Sequence, residues 1–85
     1  MNERNFTEKQ GQYLAFIYAY TEINRVPPSE SDMQRHFRVS PPTVHQMVKK
    51  LHGNGLINRT PGKARTIEIL IGPSELPILR RPRST

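Results

Sequence analysis

The stretch 29–51, SESDMQRHFRVSPPTVHQMVKKL, decides how this chain is read. Ser29 is a good helix N-cap, and Glu30 and Asp32 follow it where acids complement the positive end of a helix dipole. A short helix over 30–37 is expected, with Met33 and Phe37, four residues apart, as one narrow apolar stripe. It must stop at once, because Ser40 is a second N-cap and Pro41 suits the first position of a new helix. In that helix, 41–52, Val44, Met47, Val48 and Leu51 fall on one side at helical spacing. At about 100° per residue, Pro42, Gln46 and Lys49 then point most directly away from the core, flanked by Thr43, His45 and Lys50. The turn around Val39 between the two stripes is short, so the two helices meet at a steep angle and the second is free to protrude.

Upstream, Tyr13, Leu14, Phe16, Ile17 and Tyr20 mark an amphipathic helix over 8–24. Thr7 caps it and Gln10, three residues on, completes a capping box. Gly11 weakens its first turn, and Pro27 and Pro28 forbid continuation past Val26. Downstream the period falls to two. Strands are expected over 56–59 and 65–71, joined through Thr60-Pro61-Gly62-Lys63, whose proline and glycine match a type II turn. The predicted architecture is mainly α with a small β-hairpin, a winged helix-turn-helix of three helices and a two-stranded wing over 1–72. Residues 73–85, rich in proline and holding Arg80, Arg81 and Arg83, are expected as an irregular basic tail, either solvated or serving as a flexible arm toward a polyanion.

The formal charge of +6 is unevenly distributed. Residues 1–34 hold three Lys or Arg against five acids, whereas 35–85 hold ten against two, and the second half should attract a polyanion. There is no cysteine, so thiolate metal sites, disulfides and cysteine nucleophiles are absent. No apolar run nears the roughly 20 residues that span a bilayer, and the first seven residues lack a signal-peptide core, so a cytoplasmic protein without membrane contact is expected. His45 and His52 are seven residues apart, about 10 Å along a helix and too far for one ion. With no nucleophile elbow, phosphate loop or paired acids, no metal, cofactor or catalytic residue is assigned, and no enzyme is expected.

The outer face of helix 41–52 carries donors and acceptors of the types that read base edges in a major groove. The basic residues of the turn and wing flank it: Arg35 and Arg38, then Arg59, Lys63 and Arg65. Together with Lys50 and Ser29, whose helix start can hold a phosphate, they are the candidate backbone contacts. The runs Val26-Pro27-Pro28-Ser29, Phe37-Arg38-Val39-Ser40-Pro41-Pro42-Thr43-Val44 and Leu51 with Gly55-Leu56-Ile57 resemble the N-terminal DNA-binding domain of LexA-type repressors and, more loosely, MarR-like winged-helix regulators. The likeness covers about 6–71. It implies a transcription regulator, a repressor, in which the third helix enters the major groove and the wing meets the backbone. Base-reading roles follow for Ser40, Pro42, Thr43, His45 and Gln46, joined by Lys49 from its place on the outer face. Arg38 stands where the family's turn carries glycine, and 85 residues leave no room for the self-cleaving C-terminal domain, so autoproteolysis is not expected. Double-stranded DNA is the expected partner. Homodimerisation, in solution or on DNA only, stays open, as do the rival readings of a protein-docking winged helix and of RNA binding.

Overall fold

The computed structural model describes residues 6–80. The first helix, α1 (Glu8–Asn24), opens on the expected capping box: the Thr7 hydroxyl accepts from the Gln10 amide and the Gln10 side chain accepts from the Thr7 amide. It closes at Arg25 in the left-handed region, φ 64°, ahead of the two prolines. The second helix, α2 (Glu30–Phe37), is capped by Ser29, and here too the cap is reciprocal. Ser29 Oγ accepts from the Asp32 amide at 3.1 Å, and Asp32 Oδ2 accepts from the Ser29 amide at 2.9 Å. Arg38 ends α2 at φ 58° and ψ 48°, a conformation costly for any residue with a Cβ. The third helix, α3 (Pro41–Gly53), starts three residues later with Ser40 as cap and Pro41 in its first turn.

The core is where the three stripes converge. Tyr13, Leu14 and Ile17 of α1, Met33 of α2, and Val44, Val48 and Leu51 of α3 are buried together with Leu56, Ile57 and Ile67. Phe37 stacks on Tyr13, centroids 4.0 Å apart, and Phe16 stacks on His36 at 4.3 Å. Burial pushes the His36 imidazole below its ordinary pKa, because the cation would have to be desolvated.

The wing is an antiparallel pair, β1 (Ile57–Asn58) with β2 (Glu68–Ile69), in the register Ile57 to Ile69 and Asn58 to Glu68. Both strands are shorter than the alternating pattern predicts. Arg65 takes a left-handed backbone, φ 60°, so the extended run expected from 65 cannot begin there. The tip is built from turns instead. The Lys63 amide reaches the Thr60 carbonyl, Gly62 supplies φ 80° as a type II turn requires, and the Thr66 hydroxyl bonds to both amide and carbonyl of Thr60.

Residues 72–80 depart most from expectation. They do not trail into solvent: a 3₁₀ turn, Pro73–Glu75, leads into a strap along α1. The Gln12 amide donates to the Ile78 carbonyl at 2.9 Å and accepts from the Arg80 amide at 2.8 Å, and Arg80 pairs with Glu8 at 2.6 Å. Gly11 makes room, since a Cβ there would lie 2.9 Å from the Phe6 ring and 3.0 Å from Pro77. The strap explains why Ala15 is buried although it lies off the α1 core stripe. Packing therefore continues beyond the expected boundary at 72, whereas Arg81 and Arg83 lie outside the described residues.

Candidate nucleic-acid interface

Helix α3 buries one side and leaves the other bare. Val44, Val48 and Leu51 are buried, while Pro42, Thr43, His45, Gln46, Lys49 and Lys50 are all exposed. Ser40 and Thr43 are tied to each other: the Thr43 amide donates to Ser40 Oγ and the two hydroxyls are 2.9 Å apart. These bonds fix the start of α3 and leave each hydroxyl some capacity for an outside partner. The side chains of Gln46, Lys49 and Lys50 have no hydrogen bond or ion pair among the described residues, so their donors and acceptors face water.

The wing stands beside this face. A cleft of about 380 Å³ separates the wing tip from the start of α2, lined by Ser29, Glu30 and His45 on one side and by Arg59, Lys63 and Arg65 on the other. Ser29, His45, Arg59, Lys63 and Arg65, all singled out from the sequence, thus meet at one place. Glu30 had no part in that reading. Its Oε1 lies 3.5 Å from His45 Nδ1, so an acid of α2 touches a candidate base reader of α3. Arg59 is half-buried, with its Nε shielded from water and without a hydrogen-bond partner among the described residues.

Arg65 is tied inward. Its Nη1 donates to the Tyr20 hydroxyl at 3.0 Å, the Pro27 carbonyl at 3.2 Å and Asp32 Oδ2 at 3.0 Å, so the guanidinium turns toward the body of the domain. The physical reason is the Asp32 carboxylate, which is only 9 % exposed and recruits cations. Arg35 takes its other oxygen at 2.5 Å. The Ser29 amide bond holds the Asp32 carboxyl below the usual carboxylate range against the opposing effect of burial, helped by the Ser29 and Tyr20 hydroxyls and by Arg65. Ser29 is likewise engaged at both amide and hydroxyl by the cap, so Ser29, Arg35 and Arg65 each have a partner within the chain, while the Arg35 and Arg65 side chains remain 73 % and 44 % exposed. Asp32 and Tyr20 were missed as site residues. The Ser29-x-x-Asp32 spacing signals a capping box, but nothing local signals an arginine 33 residues away.

With this geometry in place, comparison with known proteins supplies the family. A family model described as iron dependent repressor, N-terminal DNA binding domain, matches residues 5–64. Among similar proteins are LexA repressors of Thermosipho melanesiensis, 36 % identical over 67 residues, of Thermotoga maritima, 35 % over 66, and of Magnetococcus marinus, 32 % over 77. These matches cover 79 %, 78 % and 89 % of this chain but 34 %, 34 % and 33 % of the relatives, so the chain spans about one third of their length. The resemblance to LexA-type repressors read from the sequence is thus found again by comparison. Despite the iron in the family's description, no group of three or more His, Cys, Asp or Glu among the described residues is placed to hold a metal ion, and these residues do not fit an iron centre. Three helices, a two-stranded hairpin and a match over 5–64 agree: the chain belongs to the family of winged-helix N-terminal DNA-binding domains of repressors.

Proposed function

We propose that this chain is a sequence-specific duplex-DNA-binding transcription regulator, a repressor, that lays α3 in the major groove and sets its wing, 59–65, against the backbone. The observation that carries the reading is the bare polar face of α3 beside a wing bearing Arg59 and Lys63. Gln46 offers both donor and acceptor to a base edge, Lys49 donates, and the Thr43 methyl suits a thymine methyl. Pro42, His45 and Ser40 complete the reading surface. Lys50, Lys63, Arg59 and Arg38 supply phosphate contacts, each of which releases about one counterion.

Duplex DNA is favoured over RNA because the A-form major groove is too deep and narrow to admit a helix. A protein partner docked on α3 would call for an interface core depleted in lysine, and this face carries Lys49 and Lys50. The proposal gives the chain no catalytic role. No helix among the described residues is long and apolar enough to cross a membrane.

The test is fluorescence anisotropy with duplexes selected from a random library, over a salt series. Binding should weaken log-linearly with salt, Gln46→Ala should relax sequence preference, and Lys63→Ala should weaken all sequences alike. No binding at low salt, or affinity indifferent to salt, overturns the reading. A symmetric selected consensus would reveal two copies on one site, and an asymmetric one a single copy.

A further inference from the structure

Two-residue strands do not hold a hairpin by themselves; isolated hairpins are marginal in water, so the direction of this wing must be set by something else. The described residues offer one polar tie between the wing tip and the helices. From the wing, Arg65 reaches Tyr20 on α1, Pro27 in the linker and Asp32 on α2, spanning 45, 38 and 33 residues of chain. One terminal nitrogen serves all three acceptors, and its two hydrogens are consumed by them. Tyr20 adds its ring, 5.9 Å from the guanidinium carbon. Asp32 is itself fixed, because its carboxylate closes the Ser29 cap and pairs with Arg35. Arg65 also holds a left-handed backbone, a conformation rarely taken by a residue with a Cβ.

Resting on the DNA-binding reading above, we propose that Arg65, Asp32 and Tyr20 form a latch that fixes the angle of the wing, and that Arg65 serves DNA binding as a positioning residue for Lys63 and Arg59 and not as a phosphate contact. Only Ala64 separates Arg65 from Lys63, and the Thr60–Thr66 bonds tie the remaining tip residues together. Anchoring Arg65 therefore anchors the whole tip. The latch makes one wing cation structural and thereby aims two others.

The test combines wing dynamics with a double-mutant cycle in the full chain. In Arg65→Ala, ¹⁵N order parameters across 60–66 should fall below about 0.6 while those of α1 and α3 stay near about 0.85. Tyr20→Phe, which leaves every charge and the α2 cap in place, should shift them in the same direction by less. Toward duplex DNA, Lys63→Ala should cost about one counterion in the salt slope and Arg65→Ala about two, and the double variant no more than Arg65→Ala alone, because the latch variant has already lost the Lys63 contact. Asp32→Asn, which frees Arg65, should weaken binding. Additive slope losses in the double variant, stronger binding by Asp32→Asn, or an unchanged order parameter across the tip in Arg65→Ala would each overturn the latch. Failure of the parent chain to bind DNA sinks the functional reading alone, since the order parameters still decide whether the wing is latched.

Discussion

Two basic regions of this molecule look alike in composition and behave differently. The wing holds Arg59, Lys63 and Arg65, and the C-terminal strap holds Arg80, on opposite sides of the question of what a positive charge is for. Arg80 is pinned to Glu8 and its backbone is clamped by Gln12, so it serves the strap that covers α1. Arg65 is pinned to Asp32 in the same manner, whereas Lys63 in the wing and Lys49 and Lys50 on α3 have no ion pair among the described residues. Net charge draws a polyanion toward the chain, but the position of each acid decides which cations are left to meet it. With five of its seven acids in the first 34 residues, this protein uses α1 and α2 to occupy some of its own arginines.

Removing the acid that pins should break the comparison hardest. Asp32→Ala takes away the reciprocal cap of α2 and the partner of Arg65 together, and should cost about 2 kcal/mol of stability in urea unfolding. Arg80→Ala, which removes the exposed pair with Glu8, should cost under about 0.5 kcal/mol. The difference carries a pH signature. Because folding holds the Asp32 pKa below its ordinary value of 3.8, its contribution is complete above that value and is lost as pH falls through the lower, folded one. Asp32→Asn should therefore flatten the acid limb below about pH 4 relative to the parent protein.

Binding should separate the free cations from the pinned ones. Lys63→Ala and Lys50→Ala should each weaken duplex affinity about tenfold at moderate salt and lower the salt slope by about 0.9, whereas Arg80→Ala should leave the slope unchanged. A slope loss in Arg80→Ala would place the strap on the DNA.

Smaller effects sharpen the picture of the strap and the turn. Gly11→Ala should destabilise by about 1 kcal/mol, because crowding against Phe6 and Pro77 outweighs the gain in helix propensity. In Pro77→Ala the same substitution should be closer to neutral, which calorimetry can compare. Arg38→Gly should stabilise by about 0.5–1 kcal/mol by relieving a left-handed residue, measured as a rise in Tm without loss of helix by circular dichroism. DNA affinity should fall slightly in that variant if Arg38 meets a phosphate.

Much of the fold was legible because it is local. Thr7 with Gln10, Ser29 and Ser40 announced three helix starts, the prolines at 27, 28 and 41 fixed where helices end and begin, and the stripe from Val44 to Leu51 left Gln46 and Lys49 no side but the outer one. Alternation at Ile67, Ile69 and Ile71 implies longer strands than form, because it cannot reveal that Arg65, at the head of that run, leaves the extended region. The strap was read as solvated tail because Pro, Arg and isolated leucines resemble a linker until a second face of α1, with Gly11, Gln12 and Ala15, is present to receive them.

By itself the sequence determined the order of helices and hairpin, the buried stripe and the polar face that α3 turns to solvent, since caps, proline restrictions and hydrophobic period act within a few residues. Tertiary structure alone decided which cations are free. The pairings of Arg65 with Asp32 and of Arg80 with Glu8 join residues 33 and 72 positions apart, and such contacts exist only once packing of the core has brought those segments together.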